Sequence, residues 1–227
     1  MTPVDPLEPL SFADRLEEIR NRIERVAPDP GSVTVLAVTK GFGPDAVRAS
    51  VAAGLAVGEN YADELVAKAA ELAGDVGPSP EWHYLGAIQR NKVPRLAPLV
   101  SCWQSVCRIE EGRAIARRHP GARVLIQVDV VGLPGRSGVR AEGVAELVAA
   151  LRDEDLDVAG LMTVGPPGDP EEARSGFRTV SRLADALELP IRSMGMTGDI
   201  EVALSEGSTM VRVGRALFGD RPRREES

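Results

Sequence analysis

The sequence predicts an α/β fold: a (β/α)8 TIM barrel with an extra N-terminal helix. Three observations predict it. Short β-branched runs alternate with amphipathic helical stretches along the whole chain. Every strand-like run is followed by a helix or helical turn, an order that gives parallel strands joined by right-handed crossovers. The 227 residues, shared among eight such units, leave about 28 for each, which is compact but sufficient for a barrel. An open doubly wound sheet is the competing layout. It needs closely spaced glycines after the first strand, and VTKGFGP has a lysine there.

The elements follow in order. Phe12, Leu16, Ile19, Ile23 and Val26 share one face of a helix over 11–26, with Ser11 and Asp14 as a capping box and Pro28 and Pro30 as stops. This helix is expected to cover the barrel's N-terminal end. VTVLAVT (33–39) is a strand buried on both faces. Pro44 opens the next helix and Gly54 closes it. LAVGEN (55–60) is the second strand, and the helix over 61–73 turns Leu65, Val66, Ala69 and Leu72 inward. WHYLG (82–86) precedes a weak helix broken by Pro94 and Pro98. LVSCWQS (99–105) leads to a helix over 108–118, and RVLIQVDV (123–130) to one over 141–151. DVAGLMTV (157–164) is followed by Asp169, Pro170 and Glu172, which match N-cap, N1 and N3 of a helix running to Leu187. PIRSMG (190–195), a short helix over 199–206 and TMVRVG (209–214) complete the count. One domain over 1–227 is expected, with 1–10 and 220–227 flexible.

Composition excludes several function classes. The 27 basic and 34 acidic residues sum to −7, which argues against general binding to nucleic acid or anionic membranes. No apolar stretch approaches the ~18 residues of a membrane span, and the acidic, proline-rich start does not resemble a signal peptide. Cys102 and Cys107 have four residues between them, so they are read as reduced thiols, not a redox pair. With two histidines in the chain, no metal site is expected.

In a barrel of this kind, chemistry sits where strands end at the C-terminal face. Lys40 ends the first strand. A lysine amine there can attack an aldehyde, and a solvated lysine is the plainer alternative. Asn60, beside Glu59, ends the second strand and either contacts a ligand or caps the next helix. His83 reads as a satisfied core histidine, and 89–92 as a polar turn. Arg136 and Ser137 lie in a glycine-rich loop after the fifth strand. SMGMTGDIE (193–201) places Ser193, Thr197 and Gly198 ahead of a short helix, and Gly214 and Arg215 follow the eighth strand. Loops after strands seven and eight are the usual phosphate cradle of such barrels, while Thr197 or Gly198 acting as an N-cap is the alternative. Arg212 lies within an apolar strand and needs an acceptor, which a neighbouring acid would also supply.

AVTKGFGPDAVRASVAAGLAVGENYADEL, WHYLGAIQRNK, VLIQVDV, GLMTV and RSMGMTGDIEVALSEGSTMVRVGRALFGDR together resemble the pyridoxal-phosphate homeostasis proteins, single-domain relatives of the alanine racemase barrel domain. The resemblance covers nearly the whole chain. It implies that Lys40 holds pyridoxal 5′-phosphate as an aldimine. It also implies that Ser193, Thr197, Gly214 and the backbone of Arg215 hold the phosphate. It further implies that Arg212 faces the pyridine nitrogen and that Asn60 lies near the ring. It implies a cytoplasmic protein of vitamin B6 homeostasis, with apo forms of pyridoxal-phosphate enzymes as possible partners and a monomer or weak dimer as the assembly. Two departures stand out: Arg136-Ser137-Gly138 replaces the family's Lys-Ser-Gly, and Arg215 stands where a small hydroxyl residue is usual.

Non-catalytic binding is the expected role, with a low-activity amino-acid racemase as the alternative. Racemisation needs acid/base groups on both faces of the substrate. Tyr61 and Tyr84 have no strong claim to the second face, and the chain stops shortly after the barrel closes. A Schiff-base aldolase is the reading from outside this cofactor class.

Overall fold

The computed structural model describes residues 10–132, 135 and 137–220, so Arg136 and most of the two end segments lie outside the described residues. The strands are β1 (Thr34–Val38), β2 (Val57–Glu59), β3 (Trp82–Tyr84), β4 (Val100–Val106), β5 (Arg123–Gln127), β6 (Asp157–Met162), β7 (Ile191–Ser193) and β8 (Met210–Val213). They form a closed parallel barrel in sequence order, with β8 pairing back onto β1. The expected (β/α)8 barrel is what the chain forms. The strands are shorter than their sequence runs because tilted strands pair over only part of their length, and the remainder forms the rim.

The helices are α1 (Phe12–Val26), α2 (Pro44–Ala52), α3 (Ala62–Leu72), α4 (Val93–Leu96), α5 (Ile109–Ala116), α6 (Val144–Asp153), α7 (Arg174–Ala186), α8 (Ile200–Ser205) and α9 (Arg215–Phe218). The start signals act as read. The Ser11 hydroxyl accepts from the Asp14 N–H, and the Asp14 carboxylate accepts from the Ser11 N–H at 3.0 Å. Asp169 accepts from the Glu171 N–H and opens a 3-10 turn that leads into α7. The main core lies between the barrel wall and the helices, built around Trp103, Phe177, Leu65, Ile115, Leu151 and Leu161. Among the described residues, no helix is long and apolar enough to cross a membrane.

α1 departs from its expected place. It does not cover the N-terminal end of the barrel but runs down the outside, over the β8–β1 seam. Its first turn reaches the C-terminal side, where Phe12 stacks on Phe218 with centroids 5.7 Å apart. Its last turns reach the start of β1, where Ile23, Glu24, Thr34 and Val35 line one cavity. The reason is coverage. α9 has four residues and cannot cover the seam, so the Leu16–Ile19–Ile23 face serves as the eighth outer helix. Ile19→Ala should therefore destabilise the whole barrel by ~2–5 kcal/mol. Urea unfolding measures this, and an unchanged midpoint would show that α1 is an accessory.

Candidate functional site

Strand register sets which side chains share the barrel interior. Val38 lies opposite Gly58, so Lys40 and Asn60 lie level just past the ends of β1 and β2. Leu36 lies opposite Arg212 on the other side of β1. A Cβ on Gly58 would meet Leu36 Cδ2 at 3.3 Å, so the two share a face, and it is the interior one because the alternating Val35, Ala37 and Val57 belong to the outer core. With a two-residue alternation, Lys40, Asn60, Arg212 and Gly214 share that face. Arg212 lies deeper, and Lys40 sits half-buried at the rim.

Arg212 is buried at 5% exposure, and its hydrogen bonds run to neutral oxygens. Nη1 donates to the Ser193 carbonyl at 2.5 Å and to the Ser193 hydroxyl at 2.9 Å, while Nη2 donates to the Thr163 carbonyl at 2.7 Å. The neighbouring acid anticipated as an alternative makes no such bond. Burial pushes the guanidinium down to about 10, with the Asp199 charge acting the other way, so it stays cationic at neutral pH. The Ser193 hydroxyl donates in turn to Gln104 Oε1 at 2.7 Å, and Gln104 Nε2 lies 2.6 Å from His83 Nδ1. β4 and β7 are not neighbours in the ring, so this chain crosses the interior. His83 is a satisfied core residue, as read. Ser193, level with Met210, lies one interior step below Arg212 and props it from beneath.

The rim carries the other candidates. Asn60 Oδ1 is buried and has no hydrogen-bond partner. Tyr61 takes the N-cap position of α3, so the alternative of Asn60 as a helix cap fails. Thr197 is half-buried in the loop after β7. Asp199 takes the N-cap position of α8 and accepts from the Met196 N–H at 2.6 Å, so neither Thr197 nor Gly198 caps that helix. Arg22 on α1 pins the same loop. It holds Glu201 through two bonds of 2.6 and 2.8 Å and donates to the Thr197 carbonyl at 3.1 Å. A Cβ on Gly214 would lie 3.1 Å from the Val38 carbonyl, so glycine lets the end of β8 approach β1 closely. Arg215 is exposed at the start of α9. A cavity of about 660 Å³ lies elsewhere, between the ends of α2 and α3 beside Trp82.

Some residues that shape the site were missed. Lys68 on α3 is buried and bonds the Thr39 carbonyl, Glu59 and Glu64 behind the Lys40 turn. Glu59 was the available signal, since an acid inside an apolar strand requires a cation. Gln104 was hidden because LVSCWQS, apart from the exposed Ser101, is buried on both faces and shows no alternation.

The family model for the alanine racemase N-terminal domain matches residues 13–222. A Pseudomonas aeruginosa protein named pyridoxal phosphate homeostasis protein is 35% identical over 224 residues, spanning 93% of this chain and 96% of its own. This chain is a member of that family. An Aquifex aeolicus relative with the same name is 36% identical, over 91% of this chain and 95% of that one. The solved structure of PipY of Synechococcus elongatus, with pyridoxal phosphate bound, is also similar. It has a TM-score of 0.77 and 30% identity, covering 92% of this chain and all of that one. The family reached from its sequence motifs is therefore the one to which the chain belongs.

Ser193→Ala tests the interior chain. It removes an acceptor from a buried guanidinium and a donor from Gln104. The expected cost is about 1–3 kcal/mol of stability, read by denaturant unfolding. A variant as stable as the parent would show that the Ser193 hydroxyl does not help hold Arg212.

Proposed function

We propose that this protein binds pyridoxal 5′-phosphate at the C-terminal mouth of the barrel and holds it on Lys40, as a cofactor reservoir and not an efficient enzyme. The observation that carries the reading is Arg212, a buried cation bonded to neutral oxygens on the interior face that Lys40 shares. The residues present fit this ligand. Asn60 Oδ1 is a buried acceptor awaiting a donor, and Gly214 leaves the seam beside Lys40 without a side chain. When bound, pyridoxal phosphate supplies an aldehyde, with which a primary amine condenses reversibly with loss of one water.

Each residue then has a part. Lys40 supplies the amine at the rim. Arg212 would hold the ring-nitrogen end, with Ser193 and Thr163 fixing the guanidinium plane. Thr197, Gly214 and the backbone of Arg215 take the phosphate, and the exposed Arg215 guanidinium strengthens that end by charge. In this reading Ser193 acts through Arg212 more than on the phosphate, because its proton is committed to Gln104. Asn60 would lie beside the ring.

The non-catalytic half of the proposal rests on two arguments. A cationic donor facing the pyridine nitrogen disfavours its protonation and weakens the ring as an electron sink. Racemisation also needs a second acid/base group opposite the lysine. Tyr84 is buried against Trp103, with ring centroids 5.7 Å apart, and Tyr61 is exposed at the start of α3. The role that remains is to buffer the cofactor in the cytoplasm and release it to apo-enzymes.

The purified protein incubated with pyridoxal phosphate should turn yellow. Borohydride should bleach it and leave a mass adduct on the peptide containing Lys40. Lys40→Ala should lose both the band and the adduct, and an adduct mapped to a different lysine would refute the assignment. Deuterium wash-in at Cα of added amino acids should stay near background, whereas wash-in at enzymatic rates would remove the non-catalytic half.

A further inference from the structure

The turn that carries Lys40 ends on a buried cluster of charge. Lys68 Nζ donates to the Thr39 carbonyl at 2.8 Å, to Glu59 Oε1 at 2.5 Å and to Glu64 Oε1 at 2.8 Å. Glu59 Oε1 also accepts from the Thr39 hydroxyl at 2.7 Å. Glu64 Oε1 also accepts from the Gly41 N–H at 2.7 Å. The polar groups on both sides of Lys40 therefore terminate on one ammonium and two carboxylates.

Stability alone does not account for such a cluster. The Glu59 side chain is 0% exposed and that of Lys68 is 6% exposed. Burying ions costs several kcal/mol each, and a well-packed apolar substitute is often as stable. Burial pushes the Glu59 carboxyl up, against the pull of Lys68 and Thr39, and its Oε2 has no hydrogen-bond partner. What the cluster supplies is direction. Charge-assisted bonds are short and strong, and here they fix the peptide groups flanking one side chain. Gly41 has a φ of 75°, a left-handed turn that leaves its N–H to be held by Glu64.

We propose that Lys68 and Glu64 are positioning residues for Lys40, holding its turn so that the amine meets an aldehyde ligand in one orientation. They act through Thr39 and Gly41, without touching the ligand. The proposal rests on the reading of Lys40 as the cofactor-bearing residue.

The test begins with Glu64→Ala and Glu64→Gln, because Glu64 is half-buried and its loss leaves the Lys68–Glu59 pair in place. In the protein without cofactor, Gly41 amide exchange should accelerate in Glu64→Ala and slow again in Glu64→Gln, whose amide oxygen still accepts. With pyridoxal phosphate added, the borohydride-trapped adduct on Lys40 should form roughly tenfold more slowly in Glu64→Ala and within about twofold of wild type in Glu64→Gln. Lys68→Met strands Glu59, so the Glu59→Gln/Lys68→Met double variant accompanies it. That double should also slow trapping while retaining a cooperative thermal transition. Wild-type trapping rates in the folded Glu64→Ala and double variants would overturn the positioning role while leaving Lys40 as the cofactor residue. Equal losses in Glu64→Ala and Glu64→Gln, with Gly41 exchange unchanged, would also overturn it. No adduct on Lys40 in the wild type would overturn the underlying reading, and the proposal with it.

Discussion

A guanidinium inside a closed barrel is a constraint on everything around it. Removing such an ion from water costs several kcal/mol unless its donors are satisfied. Arg212 meets that demand with oxygens from Ser193, the last residue of β7, and Thr163, just past the end of β6. Ser193 can serve because Gln104 takes its proton from across the interior, and Gln104 in turn leans on His83. His83 Nε2 lies 3.3 Å from Glu81 Oε1, at the opposite end of the barrel from Lys40. If Gln104 Nε2 donates to Nδ1, the imidazole proton sits on Nε2 and points to that carboxylate. The barrel interior is thus a directed chain of donors, not an apolar plug. A second, apolar cluster of Cys102, Leu125, Ala159 and Met162 is buried apart from the main core.

The rim is built on a different principle. Lys40 and Asn60 lie beyond the last ladder pairs, where strand hydrogen bonds no longer hold the backbone. Local devices replace the ladder there. Lys68 and Glu64 hold the Lys40 turn from α3, Phe42 anchors it against Phe218 at 5.0 Å, and Arg22 pins the Thr197 loop from α1. α1 therefore has two roles. It closes the seam with its apolar face and fixes the rim with one charged residue.

The order of strands and helices was legible because periodicity and stop signals report local geometry directly. Lys40, Asn60 and Gly214 were legible at strand ends and Arg212 as a cation inside an apolar strand, and the family resemblance joined them; that they share one face comes from the strand register. The seat of α1 was not. Amphipathicity reveals that a helix has an inward face, not which wall it covers, and that was settled by the length of α9, more than 180 residues later. Lys68 was obscured for a related reason. The helix reading turned Leu65, Val66, Ala69 and Leu72 inward and left a lysine among them to solvent, although pairing can bury a charge that hydropathy assigns to water. The departure at position 136 falls outside the described residues, so the fold adds nothing to it.

The arrangement also bears on why a lysine and an arginine should share one barrel mouth. The same two side chains would suit very different tasks depending on what surrounds them. Turnover requires a ring that accepts electrons and a second proton carrier poised opposite the first. Here the group proposed to face the ring is a guanidinium that remains charged at neutral pH and is locked in plane by three bonds. A locked cation can orient a ligand and resist its protonation, but it cannot relay a proton. Reversible capture asks for less: one amine in a fixed place, an anchor at the far end, and a way out. Lys40 and Thr197 are half-buried and Arg215 is exposed, so the proposed binding groups lie close to solvent. In the reservoir reading, that openness lets the ligand leave intact, whereas a racemase must exclude water from the same mouth.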